Sequence, residues 1–352
     1  MTNNIETLFN ELTEIDDRYH YNGALAMLTP TATLYQRTSG WANFEQQAPF
    51  TTHTRAGLGS LTKQFTATAI LQLVEAGNIE LDRPLSDYLH DYKFSNQITI
   101  RQLLNMDSGI PDYTDLVSAQ LETTAKSSIL SEAETEVMIR KALGRDIPFE
   151  QILNTINAQP LDFKPGSQFA YSNTNYAILS TIIERITNMS YASYIQKHIL
   201  NPLSMSDTKI GTETSSADSY TYQDNVPVNL GKGNHQLGDG CMVTNLIDFK
   251  KWATAVMAGK LLTPANWQMC FDLQHGKYGI GWMKINSWYW HSGEILGYWS
   301  DFFMSPNRDL AMVWLYNVSP AGDETDVWLE ATDDWRERFL QTFEKTIFDE
   351  RR

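Results

Sequence analysis

The stretch from Gly57 to Gly77, GLGSLTKQFTATAILQLVEAG, constrains the fold of this chain more than any other. Apolar residues recur in it at helical spacing, and Gly77 stands where such a helix would end. Ser60 and Lys63 lie three residues apart near its start, which places their side chains on one face of the helix. The stretch therefore predicts a helix that begins with two polar groups in contact and continues into an apolar core.

A serine with a lysine one turn later has the geometry of an acyl-transfer nucleophile. Backbone N–H groups and the helix dipole favour negative charge there, and the lysine accepts the serine proton if burial lowers its pKa. A second copy of the pattern, Ser206-Asp-Thr-Lys209, falls in a segment that we predict to be a loop. The pattern alone is equally typical of an N-cap serine beside a solvated lysine, so other motifs have to decide.

Composition limits the classes of protein that this chain belongs to. With 352 residues, 42% of them hydrophobic, it predicts two domains or one large composite domain. A net charge of −15 argues against nucleic acid and anionic membranes as partners, and leaves a small-molecule substrate. The two cysteines, Cys241 and Cys270, suggest neither a disulfide framework nor a metal site, and nothing points to a cofactor. We see no signal peptide and no membrane-spanning run, so we expect a cytoplasmic protein; its oligomeric state stays open.

The predicted strands lie towards both ends of the chain, and helices fill its middle. An amphipathic helix is predicted at residues 4–17, and residues 211–237 look like a polar surface loop. The strand candidates are Gly23–Thr29, Ala32–Gly40, Cys241–Thr244, Tyr278–Ile285, Ser287–Ser292, Gly297–Met304 and Leu310–Tyr316, with a terminal helix at about Glu324–Phe348.

This order predicts an α+β fold, in which an antiparallel β-sheet is flanked by the N- and C-terminal helices and carries an all-helical insertion. We expect residues 1–95 and 238–352 to form a discontinuous sheet domain and residues 96–237 to form a mainly helical domain. The active site is expected between them.

Two further motifs carry groups that suit chemistry at Ser60. Tyr171-Ser-Asn173 follows a turn and precedes a helix; a lysine nearby would lower the tyrosine pKa, and the asparagine offers a donor and an acceptor. His291-Ser-Gly293 ends a strand, where the glycine would let a substrate backbone approach and the histidine would donate a hydrogen bond. Each motif alone is also typical of a structural tyrosine or a strand-end histidine, but together and in this order they favour a site.

In combination, these motifs resemble the serine β-lactamase and penicillin-binding-protein superfamily, on its class C side. That group includes class C β-lactamases, DD-carboxypeptidases, D-aminopeptidases and β-lactamase-fold esterases. The resemblance runs from about Gly23 to Asn317. It is also carried by Ile98-Thr-Ile-Arg-Gln-Leu-Leu104, Phe163-Lys-Pro-Gly166, Asn201-Pro-Leu203, Gly238-Asp-Gly240 and Tyr278-Gly-Ile-Gly-Trp282.

The resemblance implies a role for each of these residues. Ser60 would be the nucleophile, Lys63 its proton acceptor, and Tyr171 the second acid/base group. The backbone N–H groups of Ser60 and Glu294 would form the oxyanion hole. The implied substrate-binding residues are Asn173, His291, Ser292, Gly293 and Glu294, and no metal is implied.

One residue departs from the β-lactamase pattern, because His291 stands where those enzymes carry lysine. A histidine near its reference pKa of about 6.5 is mostly neutral and binds a substrate carboxylate less strongly than an ammonium does. We therefore predict a serine hydrolase for a small ester or amide, of the esterase or D-amino-acid peptidase type. A β-lactamase or DD-carboxypeptidase, and a non-catalytic binding protein, stay open as alternatives. Most of the aromatic residues around His291 are expected to lie in the core of the sheet, and the lining of an apolar acyl pocket stays open for one or two of them. They are Trp288, Tyr289, Trp290, Tyr298, Trp299, Phe302 and Phe303.

Overall fold

The computed structural model describes residues 3–18, 22–223, 226–319, 334–343 and 345. The strands in this part of the chain are short and mostly antiparallel. In chain order they are β1 (Gly23–Leu28), β2 (Thr33–Ser39), β3 (Trp41–Asn43), β4 (Ala48–Pro49), β5 (Ala56–Gly57), β6 (Lys209–Ile210), β7 (Ser219–Gln223), β8 (Val226–Gly231), β9 (Met242–Thr244), β10 (Met283–Ile285), β11 (Trp288–Ile295), β12 (Tyr298–Met304), β13 (Ala311–Tyr316) and β14 (Val318–Ser319).

The helices occupy the middle of the chain and both flanks of the sheet. They are α1 (Asn3–Arg18), α2 (Thr62–Glu75), α3 (Ile100–Leu104), α4 (Tyr113–Ser128), α5 (Glu132–Leu143), α6 (Phe149–Asn157), α7 (Asn173–Thr187), α8 (Tyr191–Ile195), α9 (Leu246–Met257) and α10 (Pro264–Phe271). Residues 334–343 are also helical, and the rest of the predicted terminal helix lies outside the described residues. No helix within the described ranges combines the length and apolar character needed to cross a bilayer.

A six-stranded antiparallel sheet in the order β10-β11-β12-β13-β1-β2 joins the two ends of the chain. The junction is the pairing of β1 with β13, where Gly23 lies opposite Tyr316 and Leu28 opposite Ala311. Every residue of these two strands is buried, because both faces of the sheet are covered. The predicted α+β fold is confirmed.

The two faces of the sheet pack against different layers. One face meets the large core that contains Phe65 of α2 and Trp252 of α9. The other meets a smaller core built from α1 and the C-terminal helical residues, with Leu12, Trp335 and Phe339 at its centre. The aromatic residues around His291 belong mainly to these two cores, since successive side chains of a strand point to opposite faces.

The prediction of a surface loop at residues 211–237 is wrong in part. Strands β7 and β8 form an antiparallel pair there, and β14 adds to β7 in parallel. The polar composition hid two short strands without a clear alternation, in which Tyr220 and Leu230 are buried. Helix α10 was also not predicted from the sequence, although Thr263 is a typical N-cap residue and Pro264 a typical first residue of a helix. The division into two domains stays a prediction.

Asn317, at the end of β13, provides a test of how the sheet is joined to its surroundings. Its buried amide donates to the carbonyls of Trp41 (3.1 Å) and Asp218 (2.9 Å) and accepts from Asn22. Asn317→Ala leaves these groups without that partner, so we expect the free energy of unfolding in urea to fall by about 1–3 kcal/mol. Asn154→Ala, on the exposed face of α6, should change it by less than about 0.5 kcal/mol. If both substitutions lower the free energy of unfolding equally, Asn317 does not stabilise the junction between the sheet and its surroundings.

Candidate active site

Ser60 lies in a tight 3₁₀ turn, Gly59–Leu61, immediately before α2. Strand β11 presses against this turn through Gly293. A Cβ on Gly293 would lie 1.9 Å from the Leu58 carbonyl oxygen and 2.8 Å from the Ser60 nitrogen. The glycine is therefore needed because the protein's own turn occupies the space; the approach of a substrate backbone stays a prediction.

Lys63 is fully buried, and its ammonium group has three oxygen partners. Its Nζ lies 2.9 Å from Ser60 Oγ, 2.7 Å from Asn173 Oδ1 and 2.8 Å from the backbone oxygen of Asp239. An ammonium has three donors, so this set is complete. Burial lowers the pKa of Lys63 to about 8, although the carboxylates of Asp239 and Asp112 oppose that shift.

A buried ion pair between Asp239 and His235 lies next to Lys63. Asp239 accepts from Tyr113 at 2.8 Å and lies 2.9 Å from Nε2 of His235. Burial by itself would raise the pKa of Asp239, but the charge and hydrogen bond of His235, and the charge of Lys63, lower it overall. The pKa of His235 is raised because the attraction of Asp239 outweighs its burial. Sequence reasoning missed both residues; the signal was their spacing of four beside Gly238-Asp-Gly240.

Asp112, also missed from the sequence, orients the side chain of Asn173. As the N-cap of α4 it accepts from the backbone of Thr114, and its other oxygen accepts from the backbone N–H (3.1 Å) and the side-chain amide (2.9 Å) of Asn173. The amide nitrogen of Asn173 therefore faces Asp112, and its oxygen faces Lys63.

Tyr171 lies beside Lys63, whose Nζ is 5.0 Å from the centre of the tyrosine ring. Burial raises the pKa of its phenol well above the usual value, and the hydrogen bond from Ser60 opposes this only in part. The lowered pKa that we predicted from the neighbouring lysine is wrong, because desolvation of the phenolate and the nearby carboxylates of Asp112 and Asp239 raise it. Tyr171 is thus a neutral phenol that has a proton to give.

His291 is buried and is held by two hydrogen bonds. Its Nδ1 lies 2.5 Å from the Ser292 carbonyl, which only accepts, so Nδ1 carries the proton and Nε2 accepts from Tyr278 at 3.0 Å. Burial and the charge of Lys63 lower the pKa of His291 to about 3. The ring is neutral as we predicted, but its pKa is far from the reference value that we assumed. Its role in substrate binding stays a prediction.

The remaining predicted residues lie around an open cleft of about 870 Å³. Ser60, Asn173 and Glu294 line it, while Ser292 and Gly293 form the strand that supports the Ser60 turn. Helices α4 and α5 make the opposite wall. Arg140 of α5 spans the cleft, pairing with the Glu294 carboxylate and donating to the Leu296 carbonyl at 2.8 Å.

Neither metal ligands nor an aromatic pocket are found in the described part of the chain. No cluster of three His, Cys, Asp or Glu side chains suited to a metal occurs among the described residues. The seven described aromatic residues near His291 are packed in or against the two cores, as expected for most of them, and none of them lines the cleft, so the alternative of an aromatic pocket lining is wrong. Aliphatic side chains take that place.

Comparison with known proteins places this arrangement in a family. A model of the Beta-lactamase family matches residues 8–333. The chain is 27% identical over 307 residues to "Penicillin-binding protein 4*" of Bacillus subtilis (strain 168), a match that covers 80% of this chain and 63% of the relative. The chain spans just under two thirds of the length of the first curated relatives that it matches, 63% and 64%.

Solved structures share the fold at lower identity. A penicillin-binding protein from Bacillus halodurans is 23% identical with a TM-score of 0.74, covering 98% of this chain and 100% of that one. D-amino acid amidase from Ochrobactrum anthropi SV3, complexed with L-phenylalanine amide, is 23% identical with a TM-score of 0.75, covering 97% and 99%. At this identity, the likeness establishes the fold alone.

The contact between Gly293 and the Ser60 turn leads to a prediction about stability. Gly293→Ala forces the strand and the turn apart, so we expect the free energy of unfolding to fall by about 1–3 kcal/mol, as for other overpacked sites. Gly240→Ala is the matched control, since its Cβ would meet its nearest neighbour at 3.6 Å, an ordinary contact. Urea denaturation of both variants is the measurement, and a Gly293→Ala protein as stable as the control would contradict the close approach.

Proposed function

The chain belongs to the Beta-lactamase family of serine hydrolases, and we propose that it forms an acyl-enzyme at Ser60 and hydrolyses a small ester or amide. The observation that carries the proposal is the contact between the Ser60 hydroxyl and a buried Lys63, at 2.9 Å. A lysine with a pKa of about 8 is deprotonated in an appreciable fraction at neutral pH and then accepts the serine proton.

The other groups of the site would divide the remaining steps among them. The backbone N–H groups of Ser60 and Glu294 are proposed to stabilise the oxyanion of the tetrahedral intermediate. Tyr171, a neutral phenol, would donate its proton to the leaving group and then accept one from the water that hydrolyses the acyl-enzyme. Asn173 would bind the substrate carbonyl or amide while it holds Lys63.

Charge favours a neutral or cationic substrate over a carboxylate. His291 is neutral where a cation would bind a carboxylate, and acidic side chains outnumber basic ones in the cleft. The described lining contains the acidic residues Glu122, Glu132, Glu136, Asp239 and Glu294, and the basic residues Lys126, Arg140 and His235. This supports an esterase or an amidase of the D-amino acid type, which is the name of one structural neighbour.

A penicillin-binding or DD-peptidase activity is the second candidate, favoured by the name of the curated relative from Bacillus subtilis. A panel of p-nitrophenyl esters, D-amino-acid p-nitroanilides and a chromogenic cephalosporin separates the two. We expect kcat/KM to be highest for an ester or a D-amino-acid anilide; a higher value for the cephalosporin would favour the second candidate.

Covalent labelling tests the nucleophile. Ser60→Ala should abolish labelling by a fluorophosphonate probe, because the attacking hydroxyl is removed. Ser206→Ala is the matched control, since it has the same Ser-x-x-Lys pattern but is exposed, and Lys209 contacts its backbone oxygen instead of its hydroxyl. Intact-protein mass spectrometry should find one adduct in the control and none in Ser60→Ala. The reverse result would show that the assignment of the nucleophile to Ser60 is wrong. If the native protein is not labelled at all, a non-catalytic binding protein is favoured.

The pH dependence of labelling tests the base. Only deprotonated Lys63 accepts the serine proton, so the inactivation rate constant should rise with pH through a midpoint near 8. Asp239→Asn should move the midpoint to lower pH, because the carboxylate stabilises the ammonium. Glu122→Gln removes an exposed carboxylate of the same cleft and should leave the midpoint unchanged. Rates would be measured from about pH 6 to 9.5, on both sides of the Lys63 pKa; a midpoint that Asp239→Asn leaves in place would contradict the electrostatic link.

A further inference from the structure

We propose that the cleft beside Ser60 binds an extended aliphatic acyl chain, so that the preferred substrates are neutral esters or amides of medium- or long-chain acids. This inference rests on the proposed function for the reaction at Ser60. It names the substrate class, which the family and its relatives leave open. The argument uses the length of the cleft, the character of its wall and the position of the groups that act on the leaving group.

The cleft is a long groove that follows helix α4. Thr114, Glu122, Ala125 and Lys126 line it, and their spacing places them on one face of the helix. From Thr114 to Lys126 the helix advances by about 18 Å at about 1.5 Å per residue. A site for an acetyl group or a single amino acid would need only the end of this groove that lies at Ser60.

Part of the wall of the groove is aliphatic. Among the described residues that line it, Tyr113 is the only aromatic one. The aliphatic lining comes from α4, α5, the turn between them and the end of β11, and consists of Ala125, Leu130, Ile139, Leu143, Ile295 and Leu296.

Two apolar side chains of helix α5, Ile139 and Leu143, line the groove. The structure describes every residue of α5 and finds none fully buried, although Ile139 and Leu143 both line the cleft. A surface helix normally buries its apolar face against the core. An acyl chain in the groove would cover this apolar surface.

The charged side chains of the groove are exposed to solvent or paired with one another. Glu122, Lys126 and Glu132 are exposed to solvent. Arg140 is held by Glu136 on its own helix and by Glu294 across the cleft. A neutral chain thus meets aliphatic side chains along the wall, and the charged groups remain hydrated or paired.

The position of Tyr171 indicates which half of the substrate lies in the groove. Tyr171 packs against Tyr278 and His291, with ring centroids 6.0 and 6.2 Å apart, and none of these three is among the described residues that line the groove. The proton donor has to stand beside the leaving group. The leaving group therefore belongs on the Tyr171 side of Ser60, and the groove on the other side takes the acyl group.

A peptide of about five residues would also fill about 18 Å. Where it passes the six aliphatic side chains, its amide groups would find no hydrogen-bond partners, which is unfavourable. An acyl chain has no such requirement, and each methylene that it buries improves binding by about fourfold. The observations therefore favour the acyl chain.

A chain-length series tests the proposal. We expect kcat/KM of the native protein to rise at least tenfold from p-nitrophenyl acetate to the octanoate. Ile139→Asp should remove most of this rise and lower the value for the octanoate far more than that for the acetate, because a carboxylate replaces an aliphatic side chain of the groove. Met138→Asp is the matched control, since Met138 is the neighbouring apolar residue of α5, similarly half-buried and outside the described lining of the groove. It should keep the rise.

Binding without chemistry separates this proposal from that for the reaction. Ser60→Ala should bind decanamide at least tenfold more tightly than acetamide by calorimetry, and Ser60→Ala/Ile139→Asp should lose the difference. If decanamide binds in this way but the native protein hydrolyses no ester, the groove is right and the hydrolase is wrong. Highest turnover for the acetate, equal loss of all esters in Ile139→Asp, or faster cleavage of an oligoalanine p-nitroanilide than of the octanoate would overturn the acyl groove.

Discussion

The burial of the Lys63 ammonium is the interaction on which the rest of the site depends. A buried cation is tolerated only when its hydrogen bonds are complete and charges of opposite sign are close. The three acceptors come from the Ser60 turn, from the start of α7 and from the segment before β9, so the site forms only when these three parts of the chain have assembled. The carboxylates of Asp239 and Asp112 supply the negative charge, although neither carboxylate is hydrogen-bonded to the ammonium.

A single group thus meets two opposing requirements. Desolvation moves the Lys63 pKa down far enough for the amine to accept a proton, and the two carboxylates keep it from falling further. The same desolvation acts in the opposite direction on Tyr171 and keeps it a neutral phenol. The exclusion of water therefore makes Lys63 a proton acceptor and keeps Tyr171 a proton donor at the same pH.

Much of the fold and part of the site could be predicted from the sequence, and the division has a physical reason. Alternation and helical spacing are local, so the strands that became β1, β12 and β13 were placed to within a residue or two. Contacts that depend on tertiary packing were not visible: His235 and Asp239 lie in a segment without regular periodicity, and Asp112 reads as an ordinary N-cap. The pKa values of Tyr171 and His291 were wrong for the same reason, since a sequence shows which groups are neighbours along the chain but not how far water is excluded from them.

The two Ser-x-x-Lys patterns of this chain make that distinction concrete. Ser206 and Lys209 have the same residue types at the same spacing as Ser60 and Lys63. Both Ser206 and Lys209 are exposed, and the lysine donates to a backbone carbonyl at the surface. Lys63 has the same side chain, but it is fully buried and contacts Ser60, Asn173 and the backbone of Asp239. The spacing brings hydroxyl and amine together in either place, and it is the exclusion of water that makes one of the two amines a base.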